Sequence, residues 1–303
     1  MSPSDAMAAA ASDAAPRASA LLPRIPIAAL LRWLVYLGAA LTTAILALLV
    51  GFILVNGIPH LTPSLFEWTY TSQNVSLMPA LIGTLMMTAL ALAMAVPVGV
   101  GSAIYLVEYA RPGSRFVAAV RMTAETLQGI PSIIYGLFGM LFFVTVLGWG
   151  LSLLAGACTL AIMILPVIMR TAEEALLAVP RGYREGGFAL GAGRVRTVMR
   201  CVLPTAAPGI LGGVLLGLGR CVGEVAALLF TAGTVAQIPD LGGEGVFALF
   251  ESCRTLAVHM YVLASEGLHV NETYATAVVL LAMVAVLNAA AALAAKKLGK
   301  DIR

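Results

Sequence analysis

TAEEALLAVPRGYREGGFALGAGRVRTVMRCVLP, residues 171–204, runs directly into TAAPGILGGVLLGLGRCVGEVAALLFT, residues 205–231. The first segment is polar and rich in arginine. The second is apolar and rich in glycine, but it carries Arg220 and Glu224 near its middle. A water-exposed segment is therefore joined to a helix that is long enough to cross a lipid bilayer. We interpret the first segment as a surface that receives mechanical force and the second as the lining of a route that this force opens.

The composition is that of an integral membrane protein. Of the 303 residues, 60% are hydrophobic and 11% are charged, and the mean hydropathy is +0.97, whereas about 25% of the residues in soluble domains are charged. Apolar runs recur that are long enough to cross ~30 Å of hydrocarbon as helices. We therefore predict an all-α protein embedded in the lipid bilayer. The basic residues lie between these runs, so the net charge of +3 does not indicate nucleic-acid binding.

Six apolar segments are predicted to span the membrane. They cover approximately residues 33–55, 79–106, 116–147, 151–169, 205–231 and 273–294. The third is interrupted by GIPS at residues 129–132. Residues 1–24 have no periodic apolar face and are predicted to be a disordered tail. Residues 25–303 form the predicted six-helix domain, in which residues 171–204 are a coupling segment.

The distribution of Lys and Arg predicts the orientation of the chain, because cytoplasmic loops carry an excess of these residues. Sixteen of the eighteen lie in residues 1–32, in residues 107–121, in residues 170–204 or at the C-terminal end. The three opposing loops hold only Arg254, and Arg220 lies inside a span. Both termini and the coupling segment are therefore predicted to be cytoplasmic, and the loop at residues 232–271 extracytoplasmic.

A helical wheel of the fifth span separates small residues from bulky ones. One stripe about 80° wide contains Gly213, Gly217, Arg220, Glu224 and Thr231, and leucines occupy the opposite face. The glycine face suits the close approach of another helix, whereas the leucine face suits lipid. The two charged residues are thus predicted to point into protein or into a cavity, where a charge by default marks a transport pathway.

Two interpretations of Arg220 and Glu224 stay open. In one, they neutralise each other as a structural ion pair four residues apart on one helix face. In the other, Arg220 compensates an anion in transit, since its planar guanidinium matches a tetrahedral oxyanion. Glu224 then accepts a hydrogen bond from hydrogen phosphate, which sulfate cannot donate. Thr231 belongs to the same predicted path.

The third span offers a second polar stripe. Its members lie within about 60° of arc if the helix continues through Pro131, and they are Arg121, Glu125, Gln128 and Ser132. We therefore predict that Arg121 and Glu125 line the path, with a place for Arg121 at the cytoplasmic interface as the alternative. Broken helices are common beside transport sites.

The coupling segment is predicted to contain a short exposed helix between two breaks. Residues 180–182 end the helix that leaves the fourth span, residues 183–190 form the short helix, and the glycines at 191 and 193 end it. Its apolar side chains are Tyr183, Phe188 and Leu190. Such a helix suits a groove on a partner protein, and a solvated amphipathic loop is the alternative.

REGGFALGAGRVRTVMRCVLP, residues 184–204, resembles the EAA motif of bacterial ABC importer permeases. Glu185, Gly191, Leu203 and Pro204 match that motif at the right spacing, whereas two glycines replace its alanines and a cysteine replaces its isoleucine. GTLMMTALALAMAVPVGVGSAIYLVEYA, ETLQGIPSIIYGLFG, GRCVGEVAALLFTAG and RTLAVHMYVLASEG are similar to the phosphate-specific (PstA) branch of these permeases. The resemblance covers nearly the whole chain after the tail.

The resemblance implies the type I ABC importer permease fold with a cytoplasmic coupling helix, in the bacterial inner membrane. It implies that the chain moves inorganic phosphate into the cytoplasm. The implied partners are two ABC ATPase subunits that bind the ATP and Mg, a sister phosphate permease, and a periplasmic or lipid-anchored phosphate-binding protein. Arg220 and Glu224 are implied to line the phosphate path. The residues implied to couple to the ATPase are Tyr183, Glu185, Gly186, Phe188, Leu190 and Gly191.

Several other classes of protein fit the residues less well. The P-loop pattern GxxxxGK[ST] is absent, since all three lysines lie in the C-terminal tail, so we expect neither an ATPase site nor a cofactor in this chain. An intramembrane hydrolase is disfavoured because there is no HExxH pair and the three histidines fall in predicted extracytoplasmic loops. A secondary transporter or channel needs no docking helix. Within the favoured class, a permease for molybdate, tungstate or sulfate is the alternative.

Overall fold

A computed structural model of the chain describes residues 27–111, 113–240 and 245–300, with the side chains of 27–29, 246 and 294–300 outside this description. The chain divides into two compact units, one ending at Phe52 and the other beginning at Ile53. The predicted disordered tail, residues 1–24, lies outside the described residues. The domain boundaries proposed from the sequence therefore stay a prediction.

The described residues form helices joined by short turns and by two longer loops. In chain order the α-helices are α1 (Ile27–Gly57), α2 (Met78–Ile104), α3 (Arg115–Gln128), α4 (Ser132–Gly139), α5 (Leu153–Leu177), α6 (Arg181–Ala189), α7 (Arg194–Thr197), α8 (Leu203–Val222), α9 (Ala226–Thr231), α10 (Leu256–Glu266) and α11 (Val270–Lys300). In the described part of the chain five helical stretches are long and apolar enough to cross a membrane, and α3 with α4 adds a sixth when this bent pair counts as one span. The prediction of an all-α protein with six spans is confirmed.

The centre of the second unit is the contact between α2 and α5. Small side chains at Ala91 and Ala95 of α2 allow the two helices to approach closely, and Leu160, Ile164 and Ile168 of α5 fill the interface. These α5 residues recur at four-residue intervals, so that they lie on one helix face. The other helices that matter for the site, α3, α4, α8 and α9, also pack against α5.

The glycine face of α8 packs against α5. A Cβ atom added at Gly213 would lie 2.7 Å from the Cβ of Thr171, and one at Gly217 would lie 3.3 Å from Ile168. Glycine is therefore what permits the two backbones to approach. A Cβ at Gly212, by contrast, would meet nothing within 4 Å among the described residues. The predicted packing of the small residues against a neighbouring helix is confirmed.

The long loop predicted at residues 232–271 contains a helix that the sequence analysis missed. Thr255 begins α10 by accepting a hydrogen bond on Oγ1 from the Val258 N–H at 3.4 Å, and Gly267 ends it with a φ of 70°. The Leu256 N–H donates to Thr84 Oγ1 at 2.8 Å, which ties α10 to α2. The described part of this loop therefore caps the helical bundle at its predicted extracytoplasmic end.

Candidate functional site

The predicted third span is broken, so the straight helix that would align its polar residues does not exist. α3 ends at Gln128, α4 begins at Ser132, and the two axes differ by 101°. Pro131 accounts for the break, because it lacks the N–H that a continuous helix would use. The Tyr135 hydroxyl donates to the Leu127 carbonyl at 2.7 Å, which closes the bend with a hydrogen bond.

The fifth span is broken as well. α8 ends at Val222 and α9 begins at Ala226. Glu224 lies in this break, and its Oε1 accepts a hydrogen bond from the Ala227 N–H at 3.2 Å, so that its carboxylate caps the start of α9. Of the two interpretations of Arg220 and Glu224, the structural ion pair is not formed among the residues that the structure describes. The interrupted helix no longer holds the two residues four apart on one face.

The two breaks lie side by side because α4 packs directly against α9. A Cβ atom at Gly136 would lie 2.7 Å from the Cα of Ala227, so the two backbones are in contact there. Arg220 lies in the last turn of α8, directly before the break that contains Glu224. Two discontinuous helices that meet within a bundle are the arrangement typical of transport sites in membrane proteins.

Arg220 is the charged residue available at this junction. Its side chain is half-buried, and it makes no ion pair or hydrogen bond with the residues that the structure describes. A cationic side chain in a span is costly without a partner, and its five N–H donors can bind an oxyanion. In the described part of the chain no group of three or more His, Cys, Asp or Glu is placed to hold a metal ion. The junction therefore offers charge and hydrogen-bond donors to an anion.

Thr231 does not share the position of Arg220. It is fully buried, its hydroxyl donates to the Ala227 carbonyl at 2.9 Å, and its methyl group packs against Gly139. The sequence placed Thr231 on the same stripe because the helix was assumed to be continuous. In the structure, Thr231 belongs to the contact between α4 and α9.

Arg121 and Glu125 also have partners within the protein. Arg121 forms an ion pair with Glu173, whose side chain is 3% exposed, and Arg170 Nη1 lies 3.1 Å from Glu125 Oε1. Both pairs join α3 to the last turns of α5. Because α3 turns away at the break, these residues do not form one stripe with Ser132. The alternative that placed Arg121 near the cytoplasmic end fits the structure better.

The predicted short helix of the coupling segment is confirmed as α6. Its exposed apolar side chains are Tyr183 (51% exposed), Phe188 (49%) and, just past its end, Leu190 (90%). Glu185 and Gly186 are exposed beside them. Gly191 ends the helix with a φ of 77°, a left-handed conformation that suits glycine. All six residues assigned to ATPase coupling are thus exposed.

Sequence reasoning missed the pair that anchors this helix. Arg184 makes bonds of 3.0 and 2.6 Å through Nε and Nη2 to Glu108 Oε1. The two residues are 76 positions apart, so no local pattern joins them. Arg184 shares the inward face of α6 with Gly187, which contacts Thr197. The three-residue spacing between Arg184 and Gly187 was the signal in the sequence that Arg184 faces the protein.

Comparisons with known proteins agree with this architecture. The model of the family described as "Binding-protein-dependent transport system inner membrane component" matches residues 95–303. "Probable ABC transporter permease protein YqgI" of Bacillus subtilis is 33% identical over 76% of this chain and 81% of its own length. "Phosphate transport system permease protein PstA 1" of Mycobacterium tuberculosis (strain H37Rv) is 34% identical over 75% of this chain and 74% of its own.

A solved structure shares the fold. A chain of a bacterial ABC transporter involved in the import of the acidic polysaccharide alginate superposes with a TM-score of 0.59, over 88% of this chain and 96% of that one. The two sequences are 15% identical. This similarity concerns the fold alone.

Proposed function

The chain belongs to the family of binding-protein-dependent transport system inner membrane components, and from that premise we propose that it carries inorganic phosphate. It is an ABC importer permease. In the proposed assembly it lies in a bacterial inner membrane and moves phosphate into the cytoplasm, while two separate ABC ATPase subunits bind ATP and Mg and supply the force.

The observation that carries the proposal is the guanidinium of Arg220, which has no ion-pair or hydrogen-bond partner among the described residues, at the point where two broken helices meet. Glu224, four residues away, is engaged by the Ala227 N–H. The positive charge at the junction is therefore left for a ligand, and an oxyanion satisfies it by forming bidentate hydrogen bonds. We propose phosphate as the substrate, and not another oxyanion, because relatives that are 34–39% identical are named phosphate transport permeases.

Glu224 supplies a further reason to prefer phosphate. Its Oε1 accepts from Ala227, and a carboxylate oxygen can accept more than one hydrogen bond. Hydrogen phosphate carries a proton that it can donate to this carboxylate, whereas sulfate at neutral pH has none. In the proposed site Arg220 attracts the anion and Glu224 selects the protonated one.

The exposed surface of α6 is the proposed contact with the ATPase. Tyr183 and Phe188 expose aromatic surface to water on a short helix. Such exposure costs free energy unless a partner covers it. We assign Tyr183, Phe188 and Leu190 to a groove on the ATPase. A sister permease and a periplasmic or lipid-anchored phosphate-binding protein complete the proposed assembly.

The test is transport by the assembled complex in sealed vesicles. Radioactive phosphate uptake is measured with and without ATP, and with sulfate or molybdate as competitor. We expect ATP-dependent phosphate uptake that a large excess of sulfate does not reduce. Uptake of molybdate or sulfate in preference to phosphate would overturn the proposed substrate and leave the family assignment intact. Uptake without any ATPase subunit would contradict the proposed coupling.

A further inference from the structure

Arg184 connects three parts of the cytoplasmic end of the protein. Its guanidinium is bonded to the Glu108 carboxylate, with Nη2 2.6 Å from Oε1. The same side chain donates to the carbonyls of Leu176 and Val179, both at 2.9 Å. Glu108 lies in the π-helical turn (Tyr105–Tyr109) that follows α2, and the two carbonyls belong to the last turn of α5 and the residues after it. One side chain of α6 therefore holds the ends of α2 and α5 together.

The contact is shielded from water. The side chain of Glu108 is 9% exposed and that of Arg184 is 21% exposed. Charge-assisted hydrogen bonds that are shielded from solvent are shorter and stronger than those at the surface. The contact thus differs from the exposed pair between Arg170 and Glu174, whose side chains are 37% and 65% exposed.

We propose that Arg184 is a positioning residue that makes the cytoplasmic ends of α2 and α5 move together with α6. The inference rests on the proposed function, since it assumes that an ATPase pulls on α6. Tyr183, Glu185 and Phe188 of α6 are exposed to that partner, while the largely buried side chain of Arg184 transmits the displacement. α5 leads to the junction directly, because it packs against α3, α4, α8 and α9.

Lysine cannot replace arginine at this position. The guanidinium uses Nε and Nη2 on the carboxylate and both Nη atoms on the two carbonyls. An ammonium group is a single point and cannot reach all of these acceptors at once. Arg184→Lys should therefore behave like Arg184→Met and unlike the wild type.

The experiment compares Arg184→Met, Arg184→Lys and Glu108→Gln in the complete complex with its ATPase subunits. Tyr105, directly after α2, is half-exposed. In a Tyr105→Cys background, the rate at which a thiol reagent labels this cysteine is measured with and without ATP and reports motion at this position. We expect ATP to change this rate in the wild-type complex. The response should fall roughly five-fold or more in each variant, while ATPase subunits still co-purify. Glu108→Gln is the decisive variant, because it keeps both carbonyl bonds and the attachment of α6 to α5.

Arg115→Met is the matched control, since Arg115 is exposed at the start of α3. All rates are expressed per assembled complex, so that a variant with low yield is still informative. An ATP response of wild-type size in Glu108→Gln, or none in the wild type, would overturn the inference. Phosphate uptake by the wild-type complex is measured in parallel. Its absence would overturn the proposed substrate without affecting the labelling result.

Discussion

The side chain of His259 is fully buried in the cap formed by α10 and the preceding loop, at the predicted extracytoplasmic end. Arg254, 4% exposed, lies with its guanidinium carbon 5.0 Å from the centre of the Tyr70 ring, and His259 packs edge-on against the same ring. Burial and the charge of Arg254 lower the pKa of His259 from 6.5 to about 3. The histidine is therefore neutral in the folded protein at neutral pH.

The lowered pKa predicts that acid weakens the folded state. Between pH 6.5 and about 3 the unfolded chain binds a proton at this position and the folded chain does not. The contribution of His259 to the free energy of unfolding is therefore fully present above pH 6.5 and decreases as the pH falls. We expect His259→Leu to flatten this dependence. The check is the midpoint of thermal unfolding in detergent from pH 7 to pH 4. His269→Gln, which removes a partly exposed histidine, is measured in parallel. Parallel slopes for His259→Leu and the wild type would contradict the assignment.

Arg220 and Glu224 show what single residues reveal without a structure. Their charge and their place in an apolar run were enough to predict a site. The position of Arg220 relative to Glu224 could not be predicted, because it depended on whether the helix continues through Gly223. Glycine is common throughout this span, so its presence there does not mark a break. The break depends on the Glu224 cap and on the contact of α9 with α4, and both are tertiary features.

At the scale of elements, the contact between α8 and α5 depends on the size of a few residues. Gly213→Ala adds a methyl carbon that would lie only 2.7 Å from the Cβ of Thr171. It should lower the free energy of unfolding by about 1–3 kcal/mol, the usual cost of overpacking. Gly212→Ala has open space and should be neutral, or stabilising by up to about 1 kcal/mol through helix propensity. Denaturant unfolding in detergent compares the two. Equal effects would mean that this contact does not depend on glycine.

The end of α6 offers a second matched pair. Gly191 has a φ of 77°, whereas Gly193 has a φ of −68°. A Cβ atom added at either position would meet nothing within 4 Å among the described residues. Alanine at 191 costs roughly 1 kcal/mol in the left-handed region and should tilt α6. We expect Gly191→Ala to reduce co-purification of the ATPase and Gly193→Ala to leave it unchanged. If both variants retain the ATPase equally, the orientation of α6 does not depend on Gly191.

The short helix was predictable because its signals are local. Proline at 180 and glycine at 191 mark its two ends in the sequence, and the structure begins and ends α6 near them. The 101° bend between α3 and α4 was not predictable. Pro131 gave its position, but its angle follows from how α4 packs on α9 and how α3 pairs with α5.

At the scale of the whole molecule, the six spans followed from apolar runs, which need no tertiary information. The cap helix α10 did not, because it is short and follows residues typical of loops. Its position depends on tertiary contacts such as that of Leu256 with Thr84. The orientation rests on the distribution of Lys and Arg and can be tested directly.

Cysteine labelling in intact cells tests that orientation. Leu190 and Ser265 are both exposed, at opposite predicted ends. A membrane-impermeant thiol reagent should label Ser265→Cys in intact cells and Leu190→Cys only after the membrane is opened. The parent protein is the control, since Cys221 and Cys253 are buried and the other two cysteines are partly buried. Labelling of Leu190→Cys in intact cells would place the coupling segment on the wrong side for an ATPase.

The central claim is that Arg220 binds the transported anion. ATP-driven phosphate uptake into vesicles, measured per assembled complex for Arg220→Gln and for the exposed control Arg115→Gln, tests it most directly. Loss of a charged hydrogen-bonding partner costs ~3 kcal/mol, so uptake by Arg220→Gln should fall roughly a hundred-fold, while the control keeps the wild-type rate. Phosphate uptake by Arg220→Gln at the rate of the control would contradict the account.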